Sequence, residues 1–337
     1  MVPIVAGRDV TRVLVTGAAG FVGCRVVERL LGEGLEVIGI DSFDEAYPRD
    51  HKVRALAELA GRCGFRFVEG NVLDRHCFGP LVRGAQVVVH AAGRAGVRSS
   101  IADAAGVARA NVYATAAVVT TAQRAGVRRL VHLSSSSVYG NAPTPFAEDT
   151  AWLRPASPYA ASKRAAELVM ARAVRTGARV AMLRLFSVYG PGQRPDQAAW
   201  QFASRLAARE PVAQYGDGSA LRDFTYVGDV AQAVSRAVAW TAADAPQLLV
   251  ANVGAGQPVR VDHFRALLAS ALGVPDRAEW RQAAPGDVRA TAARVDRART
   301  TLGWTATTPL ARGIADFVDW FEVTHGRPAR TTARSGA

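Results

Sequence analysis

Apolar and polar positions follow two different rhythms along this chain. Up to about residue 185, short apolar runs alternate with amphipathic stretches. The runs predict strands at 12–16, 36–40, 65–68, 86–90, 129–134 and 178–185, and the stretches predict helices near 20–32, 50–61, 102–125 and 157–176. Val13-Leu14-Val15 is continuously apolar, the pattern of a strand covered on both faces. Such alternation predicts an α/β fold: a Rossmann-type doubly wound parallel sheet with helices on both sides. Ligands then bind beyond the carboxyl ends of the strands.

After residue 190 the rhythm loosens. Pro191, Gly192, Pro195 and Gly216-Asp217-Gly218 punctuate it, with helices expected near 196–209, 228–241, 261–271 and 309–323. This predicts a Rossmann domain over 11–185 and a smaller mixed α/β domain over 186–325, some of whose segments return to the first. Residues 1–10 read as a lead-in, and 326–337, polar and without periodicity, as a disordered tail.

With 337 residues the chain can bury a large core. It has no apolar run long enough for a membrane span and no signal-like N-terminus. Cys24, Cys63 and Cys77 lack metal spacing and suggest a reducing, cytoplasmic compartment; no metal site is expected. The net charge of +12 raises nucleic-acid binding, but the basic residues are scattered rather than clustered with aromatics. Only Lys52 and Lys163 are lysines and the other basic residues are all arginine, a bias of composition, so the charge fits a small anionic substrate equally well.

Three stretches carry chemistry. The first is Thr16-Gly17-Ala18-Ala19-Gly20-Phe21-Val22-Gly23, between the first strand and first helix. Gly17 permits the sharp turn, Gly20 lets a pyrophosphate approach the backbone, and Gly23 lets helix and strand lie close. The positive helix end then faces the phosphates. Asp41 ends the second strand about 20 residues on, where a carboxylate accepts from ribose hydroxyls and repels a 2′-phosphate, favouring NAD over NADP. His90, at the end of the fourth strand, is read as structural, and Asn71 as facing adenine or merely shaping a turn.

The second stretch is Tyr159-Ala160-Ala161-Ser162-Lys163. Positions four apart share a helix face, and an ammonium beside a phenol favours phenolate. A free phenol titrates near ~10, too high for a base at neutral pH without such help. The third is Ser134-Ser135-Ser136-Ser137-Val138-Tyr139-Gly140 after the fifth strand, whose hydroxyls fall at the ligand-binding edge. A serine there can bond a substrate hydroxyl and relay its proton toward Tyr159.

With these motifs the chain resembles the extended short-chain dehydrogenase/reductase family over about residues 11–325. The resemblance implies NAD as cofactor and Ser135, Tyr159 and Lys163 as the catalytic set. It implies a cofactor site of Gly17, Gly20, Phe21, Val22, Gly23, Asp41, Asn71, Val72, Ala91, Ala92, Asn111 and Leu133, with Tyr159 and Lys163. Ala95–Ser100, Ser187–Asp196 and Arg222–Val227 look most like the nucleotide-sugar 4-epimerases of the UDP-glucuronate branch. A UDP-sugar held by Arg98, Ser135, Ser136, Ser137, Tyr159, Ser187, Gln193, Arg194, Arg222 and Asp287 is thereby implied, as are a homodimer and C4 epimerisation through a transient 4-keto sugar.

Relatives that dehydrate the sugar carry an Asp–Glu pair after the catalytic hydroxyl, and decarboxylating ones a Glu. Here Ser136 and Ser137 stand there, which favours plain epimerisation. Asn71, Gly93 and Ser187 depart from the residues usual at their positions. UDP-glucose/galactose 4-epimerase, UDP-glucuronate decarboxylase and a non-catalytic NAD-sensing module are the alternatives.

Overall fold

The computed structural model describes residues 11–151, 153–243, 245, 247–282 and 288–326. Its first half alternates β1 (Arg12–Thr16), α1 (Phe21–Gly32), β2 (Glu36–Asp41), α2 (Arg49–Ala57), β3 (Phe65–Glu69), α3 (Arg75–Arg83) and β4 (Val87–His90). Then come α4 (Val97–Ala102), α5 (Ala104–Ala108), a π-helical turn (Arg109–Tyr113), α6 (Ala114–Arg124), β5 (Arg129–Ser135), α7 (Pro158–Arg172), β6 (Arg179–Leu185) and β7 (Ser187–Tyr189). The second half holds α8 (Ala198–Ala207), β8 (Val212–Tyr215), β9 (Leu221–Arg222), β10 (Phe224–Tyr226), α9 (Val227–Trp240) and β11 (Leu248–Val253). It closes with β12 (Val259–Arg260), α10 (Val261–Leu272), β13 (Ala278–Arg281) and α11 (Leu310–His325).

Seven strands form one sheet in the order β11-β6-β5-β4-β1-β2-β3, every neighbouring pair parallel. The order reverses between β1 and β4, and this leaves a crevice at their carboxyl ends. Within β1, Val13 and Val15 enter a core shared with Val26 and Leu30 of α1 and Val230 and Val234 of α9. Leu14 points to the opposite face, against Val118 of α6 and Met170 of α7. Burying an aliphatic side chain this fully is worth about 1.5–3 kcal/mol, so the continuous apolar run commits β1 to the centre of the sheet.

The seventh strand, β11, and the helix α9 come from the second half of the chain, and Trp304 also packs into the first core. The rest of that half builds a separate core around Tyr189, Phe202, Phe224, Phe264 and Phe317, with three two-stranded pairings, β10-β7, β12-β9 and β13-β8.

Several elements differ from the sequence pattern. The expected helix over 102–125 is broken: Asp103 caps α5 by accepting from the Gly106 N–H, and a π turn precedes α6. The helix α3 was not among the expected elements; Asp74 starts it by accepting from the His76 and Cys77 N–H groups, and Pro80 lies inside it. The strand β11 lies in the stretch read as irregular. The tail 327–337 lies outside the described residues.

Candidate functional site

A cavity of about 1540 Å³ runs from the β1–α1 turn across the carboxyl ends of β4 and β5 into the second half of the chain. At its cofactor end the glycines are required by backbone contact. Gly17 has φ +71°, and a Cβ on it would lie 2.7 Å from the Ala92 nitrogen. A Cβ on Gly23 would lie 2.0 Å from the Gly17 oxygen. Gly20 precedes α1 with no side-chain cap and donates its own N–H to the Gly17 carbonyl at 3.0 Å, and the first helical residues Phe21 and Val22 line the cavity. Asp41 accepts from the Phe43 N–H at 2.8 Å and the Ala19 N–H at 3.1 Å, which fixes its carboxylate beside the same turn.

Val72, Ala91, Ala92 and Leu133 line the cavity. Asn71 lines it too, but its side-chain Oδ1 accepts from the Leu73 N–H at 2.9 Å and so shapes the turn. Asn111 stands behind the wall. It accepts from the Arg94 N–H at 2.8 Å and donates to the Arg94 carbonyl at 3.0 Å and the Ser162 hydroxyl at 2.8 Å. A Cβ on Gly93 would lie 2.6 Å from the Asn111 oxygen, which explains the glycine there.

Tyr159 and Lys163 enter from α7. Ser157 caps that helix, its hydroxyl accepting from the Ala160 N–H, and Pro158 opens its first turn. Both side chains are buried and line the cavity. Lys163 donates to the Leu133 carbonyl at 2.9 Å. Burial lowers the Lys163 ammonium to about 8, against an upward pull from Glu167. Burial raises the Tyr159 phenol, while the Ser135 hydroxyl and the charge of Arg194 pull it down. Ser135 ends β5, and its hydroxyl donates to that of Ser137 at 3.1 Å.

His90 is structural. Its ring bonds the Thr16 hydroxyl at 2.8 Å and the Thr115 hydroxyl at 3.0 Å, and burial pushes it down to about 3. His132 stacks on it at 5.4 Å between centroids, with no partner for either ring nitrogen among the described residues.

On the substrate side, Ser136, Ser137, Ser187, Gln193, Arg194, Arg98 and Arg222 line the cavity. The Arg194 Nε donates to Asp196 at 2.9 Å, and its Nη2 donates to Asp196 at 2.5 Å and to the Ala95 carbonyl at 3.1 Å. Its guanidinium lies 4.9 Å over the Tyr47 ring. Gln193 is stitched to its own loop, accepting from the Gly190 N–H and donating to the Val188 carbonyl. Arg98 lies 3.8 Å over the ring of Tyr215, a contact between the first turn of α4 and the end of β8. Arg222 donates to the Leu221 carbonyl at 2.9 Å. The next residue, Asp223, is fully buried and accepts from the Ala255, Gly256 and Ala293 N–H groups, which anchors this corner. Asp287 lies outside the described residues.

Sequence reasoning passed over Tyr47, Lys52, Arg94 and Tyr215, all of which line the cavity. Lys52 carried a signal: like Lys163, it persists in a chain almost without lysine. It is buried, donates to the Asp44 carbonyl at 2.8 Å and lies 3.7 Å from Asp41. Arg94 pairs with Asp44 and Asp103. Among the described residues no cluster of metal-ligating side chains occurs, and no helix is long and apolar enough to cross a membrane.

Residues 13–254 match the model of the NAD dependent epimerase/dehydratase family. The chain is 32% identical over 311 residues to a UDP-glucuronate 4-epimerase of Thermodesulfobacterium geofontis, covering 91% of this chain and 95% of that one. It is 36% identical over 318 residues to a UDP-glucose 4-epimerase of Mycolicibacterium smegmatis, covering 92% and 98%. Its fold is similar to that of the UDP-glucuronic acid 4-epimerase from Bacillus cereus in complex with UDP-glucuronic acid and NAD. The TM-score is 0.89 at 28% identity, over 94% of this chain and 100% of that one.

Proposed function

The chain belongs to the NAD dependent epimerase/dehydratase family, and from that premise we propose that it interconverts UDP-glucuronate and UDP-galacturonate by inverting C4. The observation that carries this reading is one cavity holding the glycine cradle, the Ser135–Tyr159–Lys163 set and Arg194, with hydroxyls at positions 136 and 137. The cradle fits a dinucleotide: it offers the side-chain-uncapped start of α1 at Phe21 and Val22, a fixed Asp41 carboxylate, and glycines at 17 and 23 where a Cβ would strike backbone. Gly17, Gly20, Phe21, Val22 and Gly23 would hold the pyrophosphate and Asp41 the ribose, and Asn111 supports the wall. Bound there, NAD would supply the hydride acceptor for C4 and, once reduced, the donor for its return.

The chain's own residues handle the proton and the orientation. Tyr159, as phenolate, accepts the 4-hydroxyl proton while Ser135 bonds the same hydroxyl. Burial opposes the phenolate, and Ser135 and Arg194 oppose that cost. The Lys163 ammonium, fixed on the Leu133 carbonyl, adds positive charge from the next turn of the helix. The resulting 4-keto sugar must turn over while Arg222 and Arg98 keep the diphosphate in place.

A 4-keto uronate is prone to lose carbon dioxide, so its carboxylate must be held. With Nε and Nη2 of Arg194 committed to Asp196 and Ala95, Nη1 remains to donate to that carboxylate. Ser136, Ser137 and Ser187 add hydroxyls. Among the described residues, Asp41, Asp44, Asp196 and Asp217 are the carboxylates lining the cavity, and none belongs to the serine loop. An added acid or base of the kind that elimination needs is therefore missing beside Ser135.

The relative named for UDP-glucose favours a second reading, a neutral sugar. Incubating the purified protein with UDP-glucuronate, UDP-glucose and UDP-N-acetylglucosamine, with products identified by NMR, separates them. UDP-galacturonate as the main product supports the uronate reading, and preferential turnover of UDP-glucose contradicts it. A cytoplasmic homodimer completes the proposal. The three unpaired cysteines support the compartment, and exposed Ile101, Tyr113 and Leu168 on the helical layer around α7 support the association.

A further inference from the structure

A buried ion pair stands directly behind the serine loop, and the proton transfers described above do not use it. Tyr159, Lys163 and Glu167 follow one another at four-residue steps on α7 and so share one face of the helix. Glu167 is 0% exposed and Arg184 of β6 is 3% exposed. One Glu167 oxygen accepts from the Ser134 hydroxyl at 2.7 Å and from Arg184 Nε at 2.9 Å. The other accepts from Arg184 Nη2 at 3.0 Å and from Arg164 Nη1 at 3.1 Å. Arg184 also donates to the Tyr139 hydroxyl at 2.9 Å, which donates to Asn252 of β11 at 2.7 Å.

Stability alone does not account for such a pair, because well-packed apolar residues often serve a core equally well. Its position does. Lys163 holds the Leu133 carbonyl, and Glu167, one turn later, holds the next residue, Ser134. Two successive turns of α7 thus grip two successive residues of β5, and the residue after them is Ser135.

Glu167 also faces the ammonium electrically. The other titratable groups around Lys163 are Tyr159 on its own helix, His90 on β4 and His132 on β5, and both imidazoles are buried and neutral. Arg184, on β6, is tied to Glu167 itself.

We propose that Glu167 is a positioning residue of this site: it fixes Ser135 against Tyr159 through Ser134 and supplies the counter-charge for the buried Lys163 ammonium. The inference rests on the reading of Tyr159 and Lys163 as the proton-transfer pair. Burial raises the Glu167 carboxyl, but Arg184, Ser134 and Arg164 together hold it below its ordinary value, so the counter-charge persists at neutral pH.

Having only two lysines makes the test direct. Lysine labelled with ¹³C at Cε gives two resonances, and Lys52→Arg identifies Lys163. In Glu167→Gln, the Lys163 resonance of the NAD-loaded protein should titrate about one pH unit lower, the scale for a partly compensated charge one helical turn away. The alkaline limb of kcat should move with it, and KM for the nucleotide sugar should change less than about threefold. Glu167→Asp should recover part of both shifts. If the lone guanidinium prevents folding, Glu167→Gln/Arg184→Met removes it and should still shift Lys163. An unmoved Lys163 titration in a folded variant overturns the proposal, as does a shifted titration with an unchanged kcat profile. Full turnover in Lys163→Met would instead overturn the reading on which the proposal rests.

Discussion

The two ends of the cavity are built by different means. At the cofactor end the wall is backbone, and a methyl group on Gly17 or Gly23 would strike main-chain atoms. At the substrate end the wall is side chains, and two of its arginines touch partners from other parts of the chain. Arg98 rests on Tyr215, and Arg194 reaches the Ala95 carbonyl. Backbone walls tolerate almost no change of residue. Side-chain walls can be rebuilt one contact at a time.

Breaking the chemistry between the two ends should have the largest effect. On the proposed mechanism Tyr159→Phe removes the proton acceptor, and turnover should fall by about 10³-fold or more, while calorimetry still shows nucleotide-sugar binding. Next comes the backbone wall. Gly23→Ala must displace the Gly17 carbonyl, so stability should drop by about 3 kcal/mol and the purified protein should lose NAD, read by denaturant midpoint and by nucleotide release.

The side-chain wall should yield more gently and more selectively. Arg194→Ala should weaken UDP-glucuronate binding by about 10- to 100-fold, the worth of a charged hydrogen bond, and UDP-glucose binding far less. Equal losses for the two sugars would place Arg194 away from the carboxylate.

The smallest effect concerns the sheet beneath the site. His90 and His132 are neutral when buried, and both titrate below the ordinary imidazole range because of burial and the nearby Lys163. The unfolded chain takes up protons on them below about pH 6.5, whereas folded His90 does so only near 3. Their contribution is therefore complete above about pH 6.5 and declines as the pH falls toward 3. His132→Phe should lose less stability than the parent between pH 7 and pH 4.5, read by urea denaturation at both values.

The same contrast explains what was legible in the sequence. The six expected strands of the main sheet and the glycine turn follow from local rules: apolar runs, turn glycines and a strand-ending Asp41. The helix α3 was hidden by Gly79 and Pro80, and β11 by the irregular stretch around it. The spacing of Tyr159 and Lys163 was readable because both lie on one helix. Arg184 with Glu167, Arg98 with Tyr215 and Asp223 with three distant N–H groups were not, because no local pattern marks a contact closed by folding. Lys52 was readable in principle from its rarity.

At the centre of this account, the hydrogen that leaves C4 is the hydrogen that comes back. UDP-glucuronate deuterated at C4, converted in ordinary water without added nucleotide and analysed by NMR and mass spectrometry, tests it directly. The product should be UDP-galacturonate that keeps the deuterium at C4 and all its carbon. Loss of the label to solvent, or a product lacking the carboxylate, would contradict it.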